Sequence, residues 1–327
     1  MKHKEAGQMS RNKPDIAMPF NGLHSKDSSI AVIAVRPESN KVTFESVILR
    51  GITPYADLIY MANLSGNVVN NAKIIESQYA QQRYFALSGK VEIMKYPEFV
   101  TIFEEKFNIQ ASEAKIIGSF EAVSTYKNKI HKSDQELFNT IVKNEDMLEA
   151  YGHTIKKIDD YYIINYDMPA IFSKHNKETD IFVIAVKLHD TNTPFSELNR
   201  GIFEEFDKPS TVSIIDSESR SHMEWFNQVR RTYHISNSHI KTMFDMTDYI
   251  LDRNGTSIKI GDTPLGKIIL ERGVVSEDQI LQLRKNPMVR IKIKTKTELV
   301  NIIEKGKSSK QQKTLKECCT LIESIQF

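Results

Sequence analysis

Two stretches of the sequence repeat each other at a fixed separation of 151 residues. Residues 24–35 (HSKDSSIAVIAV) and residues 175–186 (HNKETDIFVIAV) are identical at seven of twelve positions. The tripeptide Arg-Gly-Ile then follows in both copies, at residues 50–52 and 200–202. Two buried strands can share Val and Ile by chance. The shared His, Lys and Arg-Gly-Ile lie outside the apolar runs, and identity at those positions is harder to explain by chance. We therefore expect an internal duplication.

Each copy has the pattern of a buried strand followed by a helix. Residues 181–186 form a short apolar run rich in β-branched side chains, which predicts a strand. Thr193 and Pro194 then supply an N-cap and a first-turn proline ahead of an apolar helical stripe. Upstream, residues 154–158 and 161–166 predict two more strands, and strands this close in sequence pair antiparallel. The expected fold class is α+β, with two related modules of antiparallel strands packed with helices.

The length of the chain, 327 residues, is sufficient for two or three compact domains. A capping box at Ser133 and Glu136 predicts a helix that we expect to end near Gly152, where we place a domain boundary. The predicted regions are a disordered N-terminal segment, a first α+β module, a second α+β module, a helix-turn-helix-like region, and a basic linker with a C-terminal helix. They cover residues 1–15, 16–152, 153–235, 236–305 and 306–327.

The fourth of these regions, residues 236–305, has the element order of a winged-helix fold. The patterns predict helices over 238–252, 264–272 and 277–285, a short strand over 257–260, and an alternating strand over 289–294. Winged-helix relatives of the helix-turn-helix motif have this order, with the last helix of the pair in the major groove of DNA. A second wing strand is not evident in the sequence. The alternative is a helical subdomain with a purely structural role.

A short motif supports the helix pair. Leu265-Gly266, Gly273-Val274-Val275 and Gln279-Ile280 have the spacing of L-G-x-x-L-x-x-x-G-x-I. This stretch resembles the N-terminal domain of type II secretion and type IV pilus assembly ATPases, some of which bind cyclic di-GMP. Pro264 stands where those members have arginine, and the motif occurs once instead of in tandem. The resemblance implies two helices packed around a tight turn.

Positive charge is concentrated near the C-terminus. Residues 284–316 hold eleven Lys or Arg against two Glu, a net charge of +9, so the rest of the chain carries −7. Such an asymmetry points to an acidic partner, with nucleic acid the leading candidate. The alternative is a solvated basic tail, or a basic face that docks on the acidic body of the chain itself. The predicted nucleic-acid-binding residues are Arg284, Lys285, Arg290, Lys292, Lys294 and Lys296.

Sequence motifs for catalysis are absent. There is no G-x-x-x-x-G-K-[ST], G-x-G-x-x-G, H-E-x-x-H, C-x-x-C or G-x-S-x-G. The repeated loops nevertheless place His24 and His175 at equivalent positions, and histidine is suited to acid–base chemistry. These two residues are the candidate catalytic residues of an enzyme with a site between the modules. The alternative is a polar turn retained from the ancestral unit.

No metal site and no cofactor are expected. His222, His234 and His239 lie near Asp245 in the sequence, but their spacing is not that of a standard zinc site, so we expect ordinary surface histidines. The adjacent cysteines 318 and 319 have no histidine beside them and are expected to be buried on the last amphipathic helix.

The sequence favours a non-catalytic, cytoplasmic binding or regulatory protein, with DNA or RNA bound through the basic C-terminal region. An enzyme acting between the modules and an adaptor protein that binds an acidic protein partner are the alternatives. Insertion into a membrane is not expected, because the apolar runs are far shorter than the roughly 20 residues of a spanning helix. The oligomeric state is left open.

Overall fold

The structure is a computed structural model that describes residues 11–23, 29–129, 133–211, 229, 232–273, 275–307 and 313–327. These residues form a mixed α+β fold with several antiparallel sheets, which confirms the expected class. The strands are β1 (Asp15–Met18), β2 (Ile30–Val35), β3 (Ala56–Ser65), β4 (Lys115–Gly118), β5 (Met147–Ala150), β6 (His153–Ile158), β7 (Tyr161–Ile164), β8 (Asp180–Leu188), β9 (Tyr233–Ile235), β10 (Met288–Ile293), β11 (Lys296–Asn301) and β12 (Ile325–Gln326).

The helices, again in chain order, are α1 (Val42–Ile52), α2 (Gly66–Asn71), α3 (Ile74–Gln78), α4 (Ala80–Ser88), α5 (Lys90–Ile93), α6 (Pro97–Phe107), α7 (Ser119–Lys129), α8 (Asp134–Asn139), α9 (Met168–Lys174), α10 (Phe195–Phe206), α11 (His239–Tyr249), α12 (Pro264–Arg272), α13 (Glu277–Lys285), α14 (Ile302–Gly306) and α15 (Leu315–Glu323). Within the described ranges, no helix is both long enough and apolar enough to cross a membrane.

The chain divides into two compact units, each assembled from separate stretches of sequence. The first unit contains Met1–Ile74, His175–Ile280 and Lys305–Ser324. The second contains Ile75–Lys174, Leu281–Glu304 and Ile325–Phe327. The domain boundaries drawn from the sequence stay predictions.

The first unit is built on a five-stranded antiparallel sheet with the order β1-β3-β8-β2-β9. All six residues of β2 are buried, because α1 and α10 cover one face of the sheet and α11 contacts β2 on the other. Burial on both faces explains why the sequence shows a continuous apolar run there instead of an alternating one.

The two repeated segments lie side by side at the centre of this sheet. Ile33 of β2 pairs with Ile184 of β8, which is its equivalent in the repeat. The helices that follow these strands, α1 and α10, touch at Gly51 and Gly201: a Cβ on Gly201 would lie 2.4 Å from the carbonyl oxygen of Gly51. Strand β3 pairs with β8 on one side of this central pair, and β9 pairs with β2 on the other.

The second unit contains a four-stranded sheet with the order β4-β7-β6-β5, in which only β4 and β7 are parallel among the described strands. Strands β6 and β7 confirm the two predicted extended segments, and Asp159 makes the turn between them with φ of 53°. The capping box at Ser133 is also confirmed.

The predicted end of the α8 helix is wrong. It ends at Asn139 instead of near Gly152, and residues 147–150 form strand β5. Thr140 is extended, with ψ of 116°, and it opens the β-branched run Thr-Ile-Val at residues 140–142. Such a run disfavours helix because the side chains crowd the preceding turn.

The C-terminal part of the second unit is a small antiparallel sheet with the order β11-β10-β12. Strand β11, which the sequence does not make evident, pairs with β10 in an antiparallel hairpin. The predicted helices over 264–272 and 277–285 are present as α12 and α13. The predicted strand over 257–260 is reduced to a single bridge between Leu251 and Ser257.

Candidate nucleic-acid interface

The β10–β11 hairpin is held in place by its apolar base. The two strands pair without a register shift from Met288 and Asn301 at the base to Ile293 and Lys296 at the tip. Met288 and Leu299 are buried in the aromatic core of the second unit. This anchoring leaves the far end of the hairpin, residues 292–297, exposed to solvent.

Three lysines surround this exposed tip, and we call Lys292, Lys294 and Lys296 the tip lysines. Lys294 occupies the two-residue turn with φ of 53°. Lys292 shares a face of the hairpin with its cross-strand partner Thr297, whereas Lys296 shares the opposite face with Ile293. None of the tip lysines forms an ion pair with a residue that the structure describes, so their charges are available to a ligand.

The other three predicted nucleic-acid-binding residues have different surroundings. Lys285 is exposed at the C-terminal end of α13, where its positive charge also interacts favourably with the helix dipole. Arg284 is partly buried and donates to the hydroxyl oxygen of Ser77. Arg290 donates from Nη1 to Oε1 of Glu98 across 2.6 Å. The two arginines are therefore engaged within the protein, and the lysines remain exposed.

The contact with Arg290 also changes the titration of its partner. The hydrogen bond and the charge of Arg290 lower the pKa of Glu98 from its ordinary value. The ion pair connects β10 to α6 and so helps to fix the direction in which the hairpin leaves the unit.

A pocket of about 430 Å³ lies beside strand β11, along Thr297, Glu298 and Leu299, and its charge is opposite to that of the tip. Three glutamates, Glu98, Glu149 and Glu298, line it together with Tyr151 and Leu299. Carboxylates repel phosphate, so this pocket is unsuited to a polyanion.

The structure describes one of the two candidate catalytic histidines. His24 lies outside the described residues. His175 is half-buried in the loop between α9 and β8. The enzyme hypothesis that rests on these two histidines stays a prediction.

A buried ionic cluster, which the sequence analysis missed, joins β9 to α11. The carboxylate of Asp245 is fully buried; it contacts Nε2 of His234 at 2.8 Å and Nζ of Lys241 at 2.9 Å, and accepts from Ser236 Oγ at 2.8 Å. Burial alone would raise the pKa of Asp245, but the charges of Lys241 and His234 outweigh it and hold that pKa well below its usual range. The i,i+4 spacing of Lys241 and Asp245 on one helix is the sequence signal that could have revealed this cluster.

The geometry of this buried ionic cluster indicates a structural role. Ser236 also accepts from the backbone N–H of Val32 in β2 at 3.1 Å, so the carboxylate closes a network between two strands and a helix. His239, which we expected at the surface, is only 5% exposed, and burial lowers its pKa to about 4. His222 lies outside the described residues.

No group of three or more His, Cys, Asp or Glu side chains in the described ranges is arranged to hold a metal ion. Cys318 and Cys319 are both buried on α15, as expected, and burial raises the pKa of the Cys318 thiol to about 12. Thiols of this kind are unreactive near neutral pH.

A scan against protein-family models, a search of curated proteins and a search of solved structures each found nothing that matches the chain.

Proposed function

We propose that the chain is a non-catalytic nucleic-acid-binding protein that contacts phosphates with the tip lysines and Lys285. The observation that carries this proposal is the exposed hairpin tip with three unpaired lysines. Lysine is a mobile point charge that suits contacts with a phosphate backbone, which supply affinity but no base specificity.

The order of elements supports a winged-helix arrangement for this surface. Along the chain, α11, a strand bridge, α12, α13, β10 and β11 follow one another as in winged-helix proteins. In that arrangement α13 would be the recognition helix and the β10–β11 hairpin the wing. The first turn of α13 carries Glu277 and Asp278, so the wing, and not the start of the helix, supplies the phosphate contacts.

The internal duplication is the second part of the proposal. We infer that β2–α1–β3 and β8–α10–β9 descend from one ancestral unit. Two contacts between equivalent residues support this inference: the pairing of Ile33 with Ile184 and the contact of Gly51 with Gly201. An approximate two-fold axis through both contacts would relate the two copies.

Fluorescence anisotropy with labelled duplex DNA and labelled single-stranded RNA tests the binding function. The variant Lys292→Gln/Lys294→Gln/Lys296→Gln removes the tip charges at exposed positions. The control variant Lys187→Gln/Lys259→Gln/Lys267→Gln removes the same charge from exposed lysines of the first unit. We expect the tip variant to bind about tenfold or more weakly and the control to bind like the wild type. Equal losses in both variants would contradict a specific role for the hairpin.

A further inference from the structure

The pocket of three glutamates beside β11, which we call the acidic pocket, lies between two strands of the second unit that each end a sheet. Among the described strands, β5 is the last strand of the order β4-β7-β6-β5, and β11 is the first of the order β11-β10-β12. Residues at both edges and on helix α6 line the pocket: Glu149, Ala150 and Tyr151, then Thr297, Glu298 and Leu299, then Glu98 and Ile102. Asn301 Nδ2 donates to the carbonyl oxygen of Tyr151 across 2.8 Å, which joins the end of β11 to the end of β5.

The backbone of Glu149 points out of its sheet towards this pocket. Residues 151–152 are the two-residue turn between β5 and β6. With such a turn the first cross-strand pair is hydrogen-bonded and the second pair, Glu149 with Thr154, is not. The bonds of Thr154 agree, because its N–H donates to Asn165 Oδ1 and its C=O accepts from the Asn165 N–H. The N–H and C=O of Glu149 therefore face outward, and no described residue pairs with them.

The backbone of β11 has the same arrangement at Thr297 and Leu299. Residues 294–295 are the two-residue turn of the β10–β11 hairpin, so alternate residues of β11, beginning with Thr297, do not bond to β10. At the base, the N–H of Ile302 donates to the C=O of Pro287 across 2.8 Å, which continues this alternation. The outward N–H and C=O groups of Thr297 and Leu299 also have no partner among the described residues. Open groups of this kind pair readily with another extended chain.

The acidic pocket keeps a negative charge after its internal ion pair is counted. None of its lining residues is a cation. Arg290 binds Oε1 of Glu98 from outside the lining, which leaves one positive charge against three negative ones, a net charge of −2. The other oxygen, Oε2, is buried and accepts no hydrogen bond from another described residue. Burial, followed by the charges of Glu98 and Glu298, raises the pKa of Tyr151, so these carboxylates act on one hydroxyl in the pocket.

We propose that the acidic pocket binds a short extended segment of a partner protein that carries Lys or Arg, by addition of a strand to the open edges of β5 and β11. The backbone of such a segment supplies both acceptors and donors for the outward groups of Glu149, Thr297 and Leu299. Its cationic side chain would meet Glu98 Oε2 and the exposed carboxylate of Glu149. A free polyamine has the same charge but no carbonyl oxygen for the outward N–H groups, so the pocket fits a peptide better.

Fluorescence anisotropy on the full chain tests this proposal with a labelled peptide of alternating Lys and Thr. One comparison peptide has Glu in place of Lys. The other carries N-methyl groups on every second residue, which removes the donors to one of the two edges and keeps the charge. On the protein, Thr297→Pro removes one outward N–H and leaves the bonds to β10, and Thr297→Val is its control. Glu149→Gln removes one charge, and Glu113→Gln, at an exposed position of the same unit, is its control.

We expect the Lys-Thr peptide to bind and to lose affinity by about fivefold or more through N-methylation, through Thr297→Pro and through Glu149→Gln, with both control variants unchanged. Circular dichroism verifies that the variants fold, and the N-methylated peptide tests the same contacts on the wild-type protein. The proposal is overturned if the Lys-Thr peptide does not bind, if the N-methylated or the Glu peptide binds equally well, or if the controls lose as much affinity. Self-association of the wild type that Thr297→Pro abolishes would also overturn it, because a second copy would then occupy the edges.

Discussion

Arg290 of β10 donates to Glu98 of α6 across 2.6 Å. This ion pair gives Arg290 a structural role that the tip lysines around it do not have. Both side chains remain partly exposed, so the pair is worth about 0.2–1 kcal/mol. Arg290→Gln should therefore lower the free energy of unfolding slightly and leave the affinity for nucleic acid nearly unchanged. Urea unfolding and fluorescence anisotropy measure the two effects. A larger loss of affinity in Arg290→Gln than in Lys292→Gln would show that the arginine contacts the ligand.

The contact between α1 and α10 should tolerate only glycine. A Cβ on Gly51 would lie 2.5 Å from the Cα of Ile202, and a Cβ on Gly201 would lie 2.5 Å from the Tyr55 ring. We expect Gly51→Ala and Gly201→Ala each to lower the free energy of unfolding by about 1–3 kcal/mol or more, because the helices must separate. Gly261→Ala is the control, since its Cβ would meet only Leu270 at 3.5 Å. Unchanged thermal stability in both helix variants would contradict the close contact.

The buried carboxylate of Asp245 should be essential for folding of the first unit. Asp245→Asn removes the carboxylate charge that the Lys241 ammonium, which is 16% exposed, contacts at 2.9 Å. We expect a loss of about 3–5 kcal/mol, and partial recovery in the double variant Lys241→Met/Asp245→Asn, because the ammonium that faced the lost carboxylate charge is then removed as well. Asp207→Asn, at an exposed position, is the control. A loss no greater than that of the control would show that the pair is solvated in solution.

His153 should make the second unit sensitive to acid. It stacks on Phe85 with a centroid distance of 3.9 Å, its Nδ1 accepts from Asn165, and burial lowers its pKa from 6.5 to about 3. The folded state favours the neutral ring, so unfolding takes up a proton, and stability is lost as the pH falls from 6.5 towards 3.

The test compares unfolding curves between about pH 6 and pH 4. Over this range, His153→Phe should reduce the pH dependence of the unfolding free energy by about 1.4 kcal/mol per pH unit. His189→Gln is the control, because His189 is 46% exposed beside Asp57. Parallel curves for the wild type and His153→Phe would mean that His153 titrates in the same way in both states.

Local patterns in the sequence were sufficient for the α+β class, the β6–β7 hairpin and the helix pair α12–α13. These elements depend on alternation, capping and turn residues that lie close together in the chain. The sequence did not reveal strand β11, because its inward side chains, Leu299 and Asn301, are buried by residues distant in sequence.

The sequence also could not predict which side chains contact each other. Nothing in the residues around Arg290 indicates that Glu98, 192 residues away, binds it, and the same holds for Arg284 and Ser77. The basic segment was therefore predicted as one surface, whereas the structure divides it into two engaged arginines and four exposed lysines.

The most direct test of the central claim is the salt dependence of nucleic-acid binding. Anisotropy titrations with duplex DNA from about 50 to 300 mM salt give a slope of log affinity against log salt, and each lysine–phosphate contact contributes about 0.9 to it. The proposed function predicts tight binding at low salt and a slope that is smaller by about 2–3 in the variant lacking the tip lysines. The variant lacking Lys187, Lys259 and Lys267 should keep the wild-type slope. Absence of binding at low salt, or an unchanged slope in the tip variant, would contradict the claim.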